Sequence, residues 1–250
     1  MGTGVNRLQG IRVTAKKTTT SLASDWHRTD VAAVDGWDGF KFDVPSRRAH
    51  ADGVKRAMDI VGASAALIVL SPVLAGAAVL VRLTSKGPAL FWQNRYGRDE
   101  KRFQVVKFRT MVVDQAAVID LVAVEAREDE GVLTKLQNDP RVTRVGRWLR
   151  RTSVDELPQL FNVLRGDMTL VGPRPLLPFM LDPYPELRRH RCAVRPGLTG
   201  LWQVSQRESN TTALAMAPDD LAYVEQRSLA MDLRILARTV PAVVRGSGAV

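Results

Sequence analysis

The sequence is poor in the residues that build disulfide frameworks and zinc sites. It contains one cysteine, Cys192, and three histidines among 250 residues. A single cysteine excludes an internal disulfide and fits a reducing compartment. With neither a CxxC pair nor a histidine cluster, the composition argues against a zinc site. The N-terminal basic residues are not followed by an apolar core, so a secretory signal peptide is not predicted.

Acidic residues are the minority among the charged side chains. The chain has 36 Lys+Arg against 26 Asp+Glu, a formal net charge of +10. This excess predicts an anionic partner, which would be nucleic acid, an acidic membrane surface or a phosphorylated substrate. The length suits one sizeable domain with appendages. Residues 1–50 are rich in small polar and charged residues without periodicity, and are predicted to form a flexible extension.

The longest stretch without a charge covers residues 60–81. It has the roughly 20 residues that a membrane-spanning helix needs. Ser71-Pro72 lies at its midpoint, where the proline removes a helix hydrogen bond. Both flanks are basic, so the positive-inside rule gives no orientation. A hairpin that breaks at Ser71 and Pro72 and leaves the membrane by its entry face satisfies both observations. A kinked spanning helix and a buried core helix are the alternatives.

Apolar and charged residues alternate in residues 103–111, which indicates a strand. Period two places Val106 and Phe108 on one face and Lys107 and Arg109 on the other. Two cations at successive positions of one face would form a clamp for an anion. A solvated strand face is the equal alternative.

Apolar spacing predicts three further helices. Residues 112–129 carry one apolar stripe. Asp139-Pro140 is typical of an N-cap and a first helical position, and predicts that an arginine-rich helix follows. Residues 228–245 form a basic amphipathic helix bent at Pro241. The arginine-rich helix suits an anionic membrane surface or a nucleic-acid face. The C-terminal helix suits the membrane plane, and a core-facing helix with a solvated basic face is the equal alternative.

Two adjacent carboxylates, Asp155 and Glu156, precede a short apolar helix that ends at Gly166. Ser153 with Glu156 fits a capping box. In the favoured register Asp155 is itself the N-cap, and Pro158 falls in the first turn, where no amide partner is lost. In either register the helix dipole would lower the pKa of a carboxylate and favour a nearby phosphate. By position alone, such a pair is more often a cap than a catalyst.

Two arginines stand directly before prolines. Arg174 lies between Pro173 and Pro175, and Arg195 precedes Pro196. Proline fixes its own φ and restricts the residue before it, so both arginines are expected on stiff, extended backbone. Such a backbone suits a guanidinium that must meet a phosphate.

Taken in order, these motifs closely resemble those of the bacterial sugar transferase family, the monotopic phosphoglycosyl transferases that start lipid-linked glycan synthesis. The resemblance covers about residue 55 to the C-terminus. Its motifs are Lys-Arg-Ala-Met-Asp (55–59), the Ser-Pro break (71–72), Lys-Phe-Arg-Thr-Met (107–111), Asp-Glu-Leu-Pro-Gln-Leu-Phe-Asn-Val-Leu-Arg-Gly-Asp-Met (155–168), Val-Gly-Pro-Arg-Pro (171–175), Arg-Pro-Gly-Leu-Thr-Gly (195–200) and the terminal Arg-Gly-Ser-Gly-Ala (245–249). No single motif is decisive, but their order and spacing are specific.

The resemblance implies an α+β, mainly helical fold. A compact body would carry a re-entrant, helix-break-helix membrane hairpin over residues 55–86, together with interfacial amphipathic helices. The sugar transferase domain would cover residues 51–250, after the extension of residues 1–50. The protein would lie at the cytoplasmic face of the bacterial cell membrane.

The resemblance also implies an activity. The enzyme would move a sugar 1-phosphate from a nucleotide diphosphate sugar, expected to be a UDP-sugar, to polyprenol phosphate, and would require Mg²⁺. Asp155 would form a covalent aspartyl intermediate, with Glu156 as its acidic partner and both carboxylates as metal ligands. The residues expected to bind substrate are Lys107, Arg109, Asp167, Arg174 and Arg195.

The expected partners are these two substrates and membrane lipid, but not nucleic acid, and a homo-oligomer is compatible with the sequence. The alternative from another class is a non-catalytic basic membrane anchor that binds acidic lipid or nucleic acid. An anchor explains the charge and the apolar segment. It does not explain adjacent acids followed by Pro-Arg-Pro.

Overall fold

The computed structural model describes residues 49–112, 139, 141–205 and 212–244. The expected α+β, mainly helical class is confirmed, with two small two-stranded sheets in these residues. The helices are α1 (Ala49–Thr84), α2 (Arg144–Arg151), α3 (Gln159–Arg165), α4 (Pro178–Leu181), α5 (Pro185–Arg191), α6 (Leu201–Ser205), α7 (Ala213–Gln226) and α8 (Leu229–Val244). The strands are β1 (Leu90–Tyr96), β2 (Arg102–Phe108), β3 (Thr169–Val171) and β4 (Gly197–Thr199). The predicted extension over 1–50 and the helix predicted over 112–129 lie almost entirely outside the described residues.

Helix α1 continues through Pro72, so the predicted break at Ser71 and Pro72 is not confirmed. Pro72 has no amide to donate to the carbonyl of Ile68, four residues earlier. The Ser71 hydroxyl donates to that same carbonyl oxygen at 2.8 Å. Because the hydroxyl takes the place of the missing amide, the helix can pass the proline with this carbonyl still hydrogen-bonded.

One stripe of α1 packs on the body of the protein on both sides of Pro72. Before the proline, Ala63 lies in an apolar cluster with side chains of β2 and α3. After it, Ala77 and Val81 lie in a second cluster with side chains of β2 and α2. Both halves of the helix are therefore held by the same body.

The rest of the α1 surface is apolar and exposed. Among the described residues, α1 is the one helix long and apolar enough to cross a membrane, and 11% of its most apolar segment is buried. Ile68 and Val69 are each 74% exposed and Leu83 is 78% exposed. A continuous apolar surface of this kind marks contact with a membrane or a partner, because soluble monomers rarely expose one.

The two sheets hold the loops around which the site is built. Strands β1 and β2 pair antiparallel, which confirms the strand predicted within 103–111. Strands β3 and β4 pair parallel. The backbone at the start of β4 lies against the backbone just after β3. A Cβ at Gly197 would lie 2.1 Å from the amide nitrogen of Gly172. The loop that carries Arg174 therefore starts from a close backbone contact.

The arginine-rich helix begins later than predicted from Asp139-Pro140. Helix α2 starts at Arg144, and its N-cap is Thr143, whose hydroxyl accepts a hydrogen bond from the amide of Gly146 at 2.8 Å. The carboxylate of Asp139 is engaged instead by the backbone amide and guanidinium of Arg141. The predicted C-terminal helix is confirmed as α8, which continues through Pro241.

Candidate active site

The acidic pair lies in a 3₁₀ turn, Val154–Glu156, between α2 and α3. The prediction that Asp155 is an N-cap is wrong, because α3 begins at Gln159 with Pro158 at its N-cap. The capping-box alternative fails as well, since Ser153 makes no side-chain cap bond and adopts a left-handed φ of 57°. Left-handed backbone costs a residue with a side chain about 1 kcal/mol or more. Neither carboxylate is therefore occupied in capping a helix.

Glu156 is paired with Arg174. The guanidinium Nη2 of Arg174 donates to Oε1 of Glu156 at 2.7 Å, and both side chains are partly exposed. Burial acts to raise the pKa of Glu156, but the charge and hydrogen bond of Arg174 outweigh it, with help from Lys107 and Arg95, and the pKa is lowered. Glu156 is thus an ionised carboxylate at neutral pH.

The pKa of Asp155 is shifted in the opposite direction. Burial and then the neighbouring charge of Glu156 raise its pKa from 3.8 to about 7, although Lys107, Arg150 and Arg174 act to lower it. The expectation that a helix N-terminus keeps this carboxylate fully ionised is wrong, because the turn does not place it at a helix start. An acid with a pKa near neutrality, at a site rich in other charges, is a candidate for chemistry.

Four cations surround the two acids. Lys107 interacts with both carboxylates, and its pKa is lowered to about 8 by burial and by Arg95. The pKa of Arg95 is itself lowered to about 10 by burial and by Arg174. The cations whose charges act on the two acids are Arg95, Lys107, Arg150 and Arg174. The positive excess over two carboxylates would attract a phosphorylated ligand.

The backbone that carries Arg174 is clamped by two other guanidinium groups. Arg191 donates to the carbonyl of Arg174 at 3.1 Å, and Arg191 is held in turn by a buried ion pair with Asp220. Arg95 donates to the carbonyl of Pro175 at 3.1 Å. These contacts add to the restriction that the flanking prolines impose, and they fix the backbone from which the Arg174 side chain extends toward Glu156.

A buried amide positions Lys107 relative to the acidic turn. The side chain of Asn162, on α3, accepts from the amide of Val106 at 3.0 Å and donates to the carbonyl of Gln104 at 2.8 Å. The bonds tie α3 to β2 on either side of one residue. Because Lys107 follows on β2 and the acids precede α3, Asn162 sets their relative placement.

Of the residues predicted to bind substrate, the structure brings Lys107 and Arg174 to the acids. It does not bring Arg109. Strand β2 ends at Phe108, so the alternation that would place Arg109 beside Lys107 stops there. Arg109 is buried and donates to the carbonyl and hydroxyl oxygens of Ser85, just beyond α1. It fixes the end of that helix.

Asp167 and Arg195 lie at the other end of α3 from the acidic turn. Asp167 is 3.6 Å from the guanidinium of Arg165 and accepts a long hydrogen bond from Asn162. Arg195 donates to the carbonyl of Gly166 at 2.9 Å. The structure therefore does not join either of them to Asp155 and Glu156.

Two cations of the site, Arg95 and Arg150, are absent from the set predicted from sequence. Arg95 follows Gln93 at strand spacing on β1, whose Phe91 lies opposite Lys107, so an alternation count would have found it. Arg150 lies among several arginines of α2, and only its bond to the hydroxyl of Thr110 distinguishes it. Nothing in the local sequence marks that bond.

The acidic turn is compatible with Mg²⁺. In the part of the chain that the structure describes, no group of three or more Asp, Glu, His or Cys side chains is placed to hold a metal ion. Mg²⁺ sites at phosphates commonly use one or two protein carboxylates and complete their shell with water and phosphate oxygens. Asp155 and Glu156 fit such a site, and the raised pKa of Asp155 indicates a carboxylate that a further cation would stabilise.

The fold and the site combine two carboxylates among four cations with a body that carries an exposed apolar helix. The chain belongs to the bacterial sugar transferase family, whose model, described as "Bacterial sugar transferase", matches residues 50–246.

Three similar proteins have informative names. The exopolysaccharide production protein ExoY of Rhizobium meliloti is 41% identical over 197 residues, which are 78% of this chain and 87% of that protein. The undecaprenyl-phosphate galactose phosphotransferase of Salmonella typhimurium is 42% identical over 200 residues, 78% of this chain and 41% of that protein. The UDP-glucose:undecaprenyl-phosphate glucose-1-phosphate transferase of Escherichia coli is 42% identical over 196 residues, 75% of this chain and 39% of that protein. The chain thus spans only about two fifths of the length of several relatives.

Proposed function

We propose that this chain is a phosphoglycosyl transferase. It moves a sugar 1-phosphate from a nucleotide diphosphate sugar to a polyprenol phosphate, at the cytoplasmic face of the bacterial membrane, and so starts the synthesis of exopolysaccharide or another lipid-linked glycan. The observation that carries the proposal is Asp155, a carboxylate with a pKa near 7 beside an ionised Glu156 and among four cations. The names of the relatives are consistent with this reaction.

The transfer has two steps at one carboxylate. An oxygen of Asp155 attacks the phosphorus that bears the sugar, an acyl-phosphate bond forms, and the bond to the nucleoside monophosphate breaks. The phosphate oxygen of the polyprenol phosphate then attacks the same phosphorus, the acyl-phosphate bond breaks, and the carboxylate is restored. The acceptor oxygen is already ionised, so its attack does not require a base to remove a proton.

The cations make the approach of these anions possible. A carboxylate and a diphosphate repel each other, and the charges of Lys107, Arg150 and Arg174 all act on Asp155 to offset this repulsion. Arg174 is held on fixed backbone, so its guanidinium can meet a phosphate without prior reorganisation. Its pairing with Glu156 orients the guanidinium in the absence of substrate.

Mg²⁺ would be held by Asp155, Glu156 and the phosphate oxygens of the donor. Bound there, it would neutralise charge on the diphosphate and on the departing nucleotide phosphate. Glu156, ionised by the influence of Arg174, supplies the protein oxygen that stays available when Asp155 is phosphorylated.

The apolar helix supports a site at the membrane surface. Both halves of α1 pack on the body that holds the acidic turn, while the rest of its surface is exposed and apolar. If α1 crossed the bilayer, one half of the helix would lie near the opposite face and could not pack on the body. We therefore propose that α1 lies in one leaflet, with its exposed apolar side chains among the acyl chains and both of its ends at the same face, so that the acceptor phosphate reaches Asp155 at headgroup level.

The basic-anchor alternative does not account for the acidic turn. Electrostatic attachment to acidic lipid needs cations alone. Retaining a carboxylate whose pKa is raised to about 7 costs stability at neutral pH and gives an anchor nothing in return.

The test is the release of nucleoside monophosphate by the detergent-solubilised full chain, given undecaprenyl phosphate and UDP-glucose or UDP-galactose. We expect continued turnover that depends on acceptor and on Mg²⁺, whereas donor alone should release at most about one nucleoside monophosphate per enzyme. Arg174→Lys should lower turnover more than about tenfold, equivalent to roughly 1.4 kcal/mol, because an ammonium cannot reproduce a bidentate guanidinium contact.

The matched control is Arg189→Lys, which makes the same change at an exposed arginine paired with Glu186. It should keep wild-type turnover. Absence of release with every nucleotide sugar tried, from a folded protein, would contradict the proposed reaction. Wild-type turnover of Arg174→Lys would remove Arg174 from the site.

A further inference from the structure

A second basic pocket lies at the opposite end of α3 from the acidic turn. Its lining contains five cations, Lys55, Arg56, Arg98, Arg195 and Arg227. They come from the start of α1, the turn between β1 and β2, the loop before β4 and the end of α7. Sequence positions this far apart converge on one cavity, which local sequence could not indicate.

Two of the cations are held by the end of a helix. Arg56 donates to the carbonyls of Val163 and Leu164 at 2.6 and 2.7 Å, and Arg195 donates to the carbonyl of Gly166 at 2.9 Å. These carbonyls form the C-terminal end of α3, where the helix dipole is negative and favours cations. The arrangement explains how two guanidinium groups are kept close together.

Two carboxylates, Asp52 and Asp59, line the pocket beside the five cations, and Asp59 is already engaged. Asp59 accepts from the hydroxyl of Thr169 at 2.7 Å and from the amide of Leu170 at 2.9 Å. Lys55 takes its own carboxylate partner, Asp232, at 2.6 Å. No carboxylate among the described residues forms an ion pair with Arg56, Arg195 or Arg227. Burial, and then the charges of Arg98 and Arg56, lower the pKa of Arg195, and the opposing charges of Asp59 and Asp52 offset only part of this.

Arg98 reaches the pocket from a strained turn. The two residues after it, Asp99 and Glu100, have left-handed φ values of 56° and 59°. The turn is pinned where the amide of Asp99 donates to the carbonyl of Cys192 at 2.8 Å and where Glu100 pairs with Arg188 at 2.5 Å. Two successive strained residues cost about 1–3 kcal/mol each and persist where the surroundings enforce them, often at binding sites.

The pocket lies beside the start of the apolar surface of α1. Lys55 and Arg56 line it, and the exposed side chains of Val54, Ile60 and Val61 are on the same stretch of the helix. Basic side chains that precede an apolar helix surface lie at the level of lipid phosphates. The pocket therefore faces the layer in which phosphate groups are most concentrated.

We infer that this pocket binds the ionised phosphate of an anionic phospholipid headgroup, as a site separate from the acidic turn. The four guanidinium groups supply the donors, and the end of α3 holds two of them in place. The ligand class, a singly or doubly charged phosphate, follows from the cluster of guanidinium groups. Bound lipid would fix the depth at which α1 and the body lie in the membrane surface. The inference does not depend on the reaction proposed above.

The experiment measures lipid retained by the detergent-solubilised full chain, by native mass spectrometry with phosphatidylglycerol or with phosphatidylcholine of the same acyl chains. The wild-type protein should retain phosphatidylglycerol preferentially. The double variant Arg98→Gln, Arg227→Gln should retain at least about fivefold less, since one cation near a membrane contributes about 1 kcal/mol, which corresponds to about fivefold.

The matched control is Arg147→Gln, Arg189→Gln, which removes the same charge from two exposed arginines that do not line the pocket. It should change retention less than about twofold. If the pocket double variant does not fold, as judged by its thermal transition, the single variant Arg98→Gln is measured in its place, since the contact of Arg98 with Asp99 is a long 3.7 Å.

Calorimetric titration with inorganic phosphate, without lipid, separates the two sources of the anion. The inference predicts no binding that depends on Arg98 and Arg227 at phosphate concentrations near 1 mM. Such binding would overturn the lipid assignment and identify the pocket as a site for free phosphate. Equal loss of lipid in the pocket and control variants, or no preference for phosphatidylglycerol, would also overturn it.

Discussion

At the scale of single residues, Asp155 is placed where its charge is costly. Its pKa is raised from 3.8 to about 7, chiefly by burial and by Glu156. The folded state therefore holds a proton on this carboxylate more tightly than the unfolded chain does. As pH rises from about 4 to 7 this advantage is lost, and above 7 the ionised carboxylate destabilises the fold. Such a cost is typical of residues kept for function.

Asp155→Asn should therefore stabilise the protein at pH 8, by about 1–3 kcal/mol, because the neutral amide removes a half-buried charge. The gain should shrink as the pH falls toward 5, where wild-type Asp155 is protonated. Thermal transitions of the detergent-solubilised chain at several pH values measure it. Glu186→Gln, at an exposed ion pair, is the control and should show little change. A destabilised Asp155→Asn protein would contradict the assigned environment.

The pH dependence of kcat/KM should be bell-shaped, with limbs near pH 7 and pH 8. Asp155 must be ionised to attack, so activity rises through its pKa of about 7. Lys107 must be protonated to attract phosphate, so activity falls through its pKa of about 8. Lys107→Arg should move the alkaline limb upward because arginine stays charged, and should leave the acid limb in place. An unchanged alkaline limb would exclude Lys107 as its origin.

The residues of the site were predictable to the extent that a local pattern marked them. Asp155, Glu156 and Arg174 stand out because adjacent acids and a Pro-Arg-Pro segment are locally unusual. Lys107 was found through strand alternation, and Arg109 was misplaced because the strand ends one residue earlier. The raised pKa of Asp155 could not be predicted, since it arises from burial that only the packed turn creates.

At the scale of elements, the site depends on the contact between the ends of β3 and β4. A Cβ at Gly197 would lie 2.1 Å from the amide nitrogen of Gly172 and 2.3 Å from the carbonyl oxygen of Thr199. Both obstacles are backbone atoms, so no side chain can move aside to make room. The strands would have to separate, and the loop that carries Arg174 would shift with them.

Gly197→Ala should lower the free energy of unfolding by about 1–3 kcal/mol or more and should reduce turnover. Gly76→Ala is the control, because a Cβ there meets nothing within 4 Å. It should be neutral or slightly stabilising, since alanine favours helix over glycine by about 1 kcal/mol. Thermal unfolding and the release assay measure both. Equal effects of the two substitutions would contradict the close strand contact.

Helices and strands were predictable where their own residues determined them. Helix α8 and strand β2 follow apolar spacing and alternation. The predicted start of α2 was wrong because Asp139 and Thr143 could each cap the helix. Arg141 binds the carboxylate of Asp139, and the hydroxyl of Thr143 caps the helix instead. The break at Pro72 was predicted from the missing amide, but the Ser71 hydroxyl supplies a replacement bond.

At the scale of the whole molecule, α1 ties the membrane-facing surface to the site. Lys55 and Asp59 bond to α8 and β3 near its start, and Ser85 bonds to Arg109 just after its end. The helix thus contacts the body at both ends as well as along its buried stripe. Its exposed apolar side chains can enter a leaflet while these contacts remain.

Cysteines at Gly53 and Lys86, which are exposed before and after the apolar segment, report its topology. The background carries Cys192→Ser, since Cys192 is the single native cysteine. We expect an impermeant maleimide to label both sites from the cytoplasmic side of the membrane only, in inverted vesicles and not in intact spheroplasts. Labelling of the two sites from opposite sides would show a spanning helix and contradict the proposed placement.

The central claim is that Asp155 carries the sugar phosphate covalently. Mass spectrometry of the full chain incubated with a nucleotide diphosphate sugar, without acceptor, tests it most directly. We predict a mass increase equal to one sugar phosphate on the peptide that contains Asp155, removed by hydroxylamine or by added polyprenol phosphate, and absent from Asp155→Asn. A wild-type enzyme that transfers the sugar phosphate without ever showing this adduct, or an Asp155→Asn enzyme that remains active, would contradict the account.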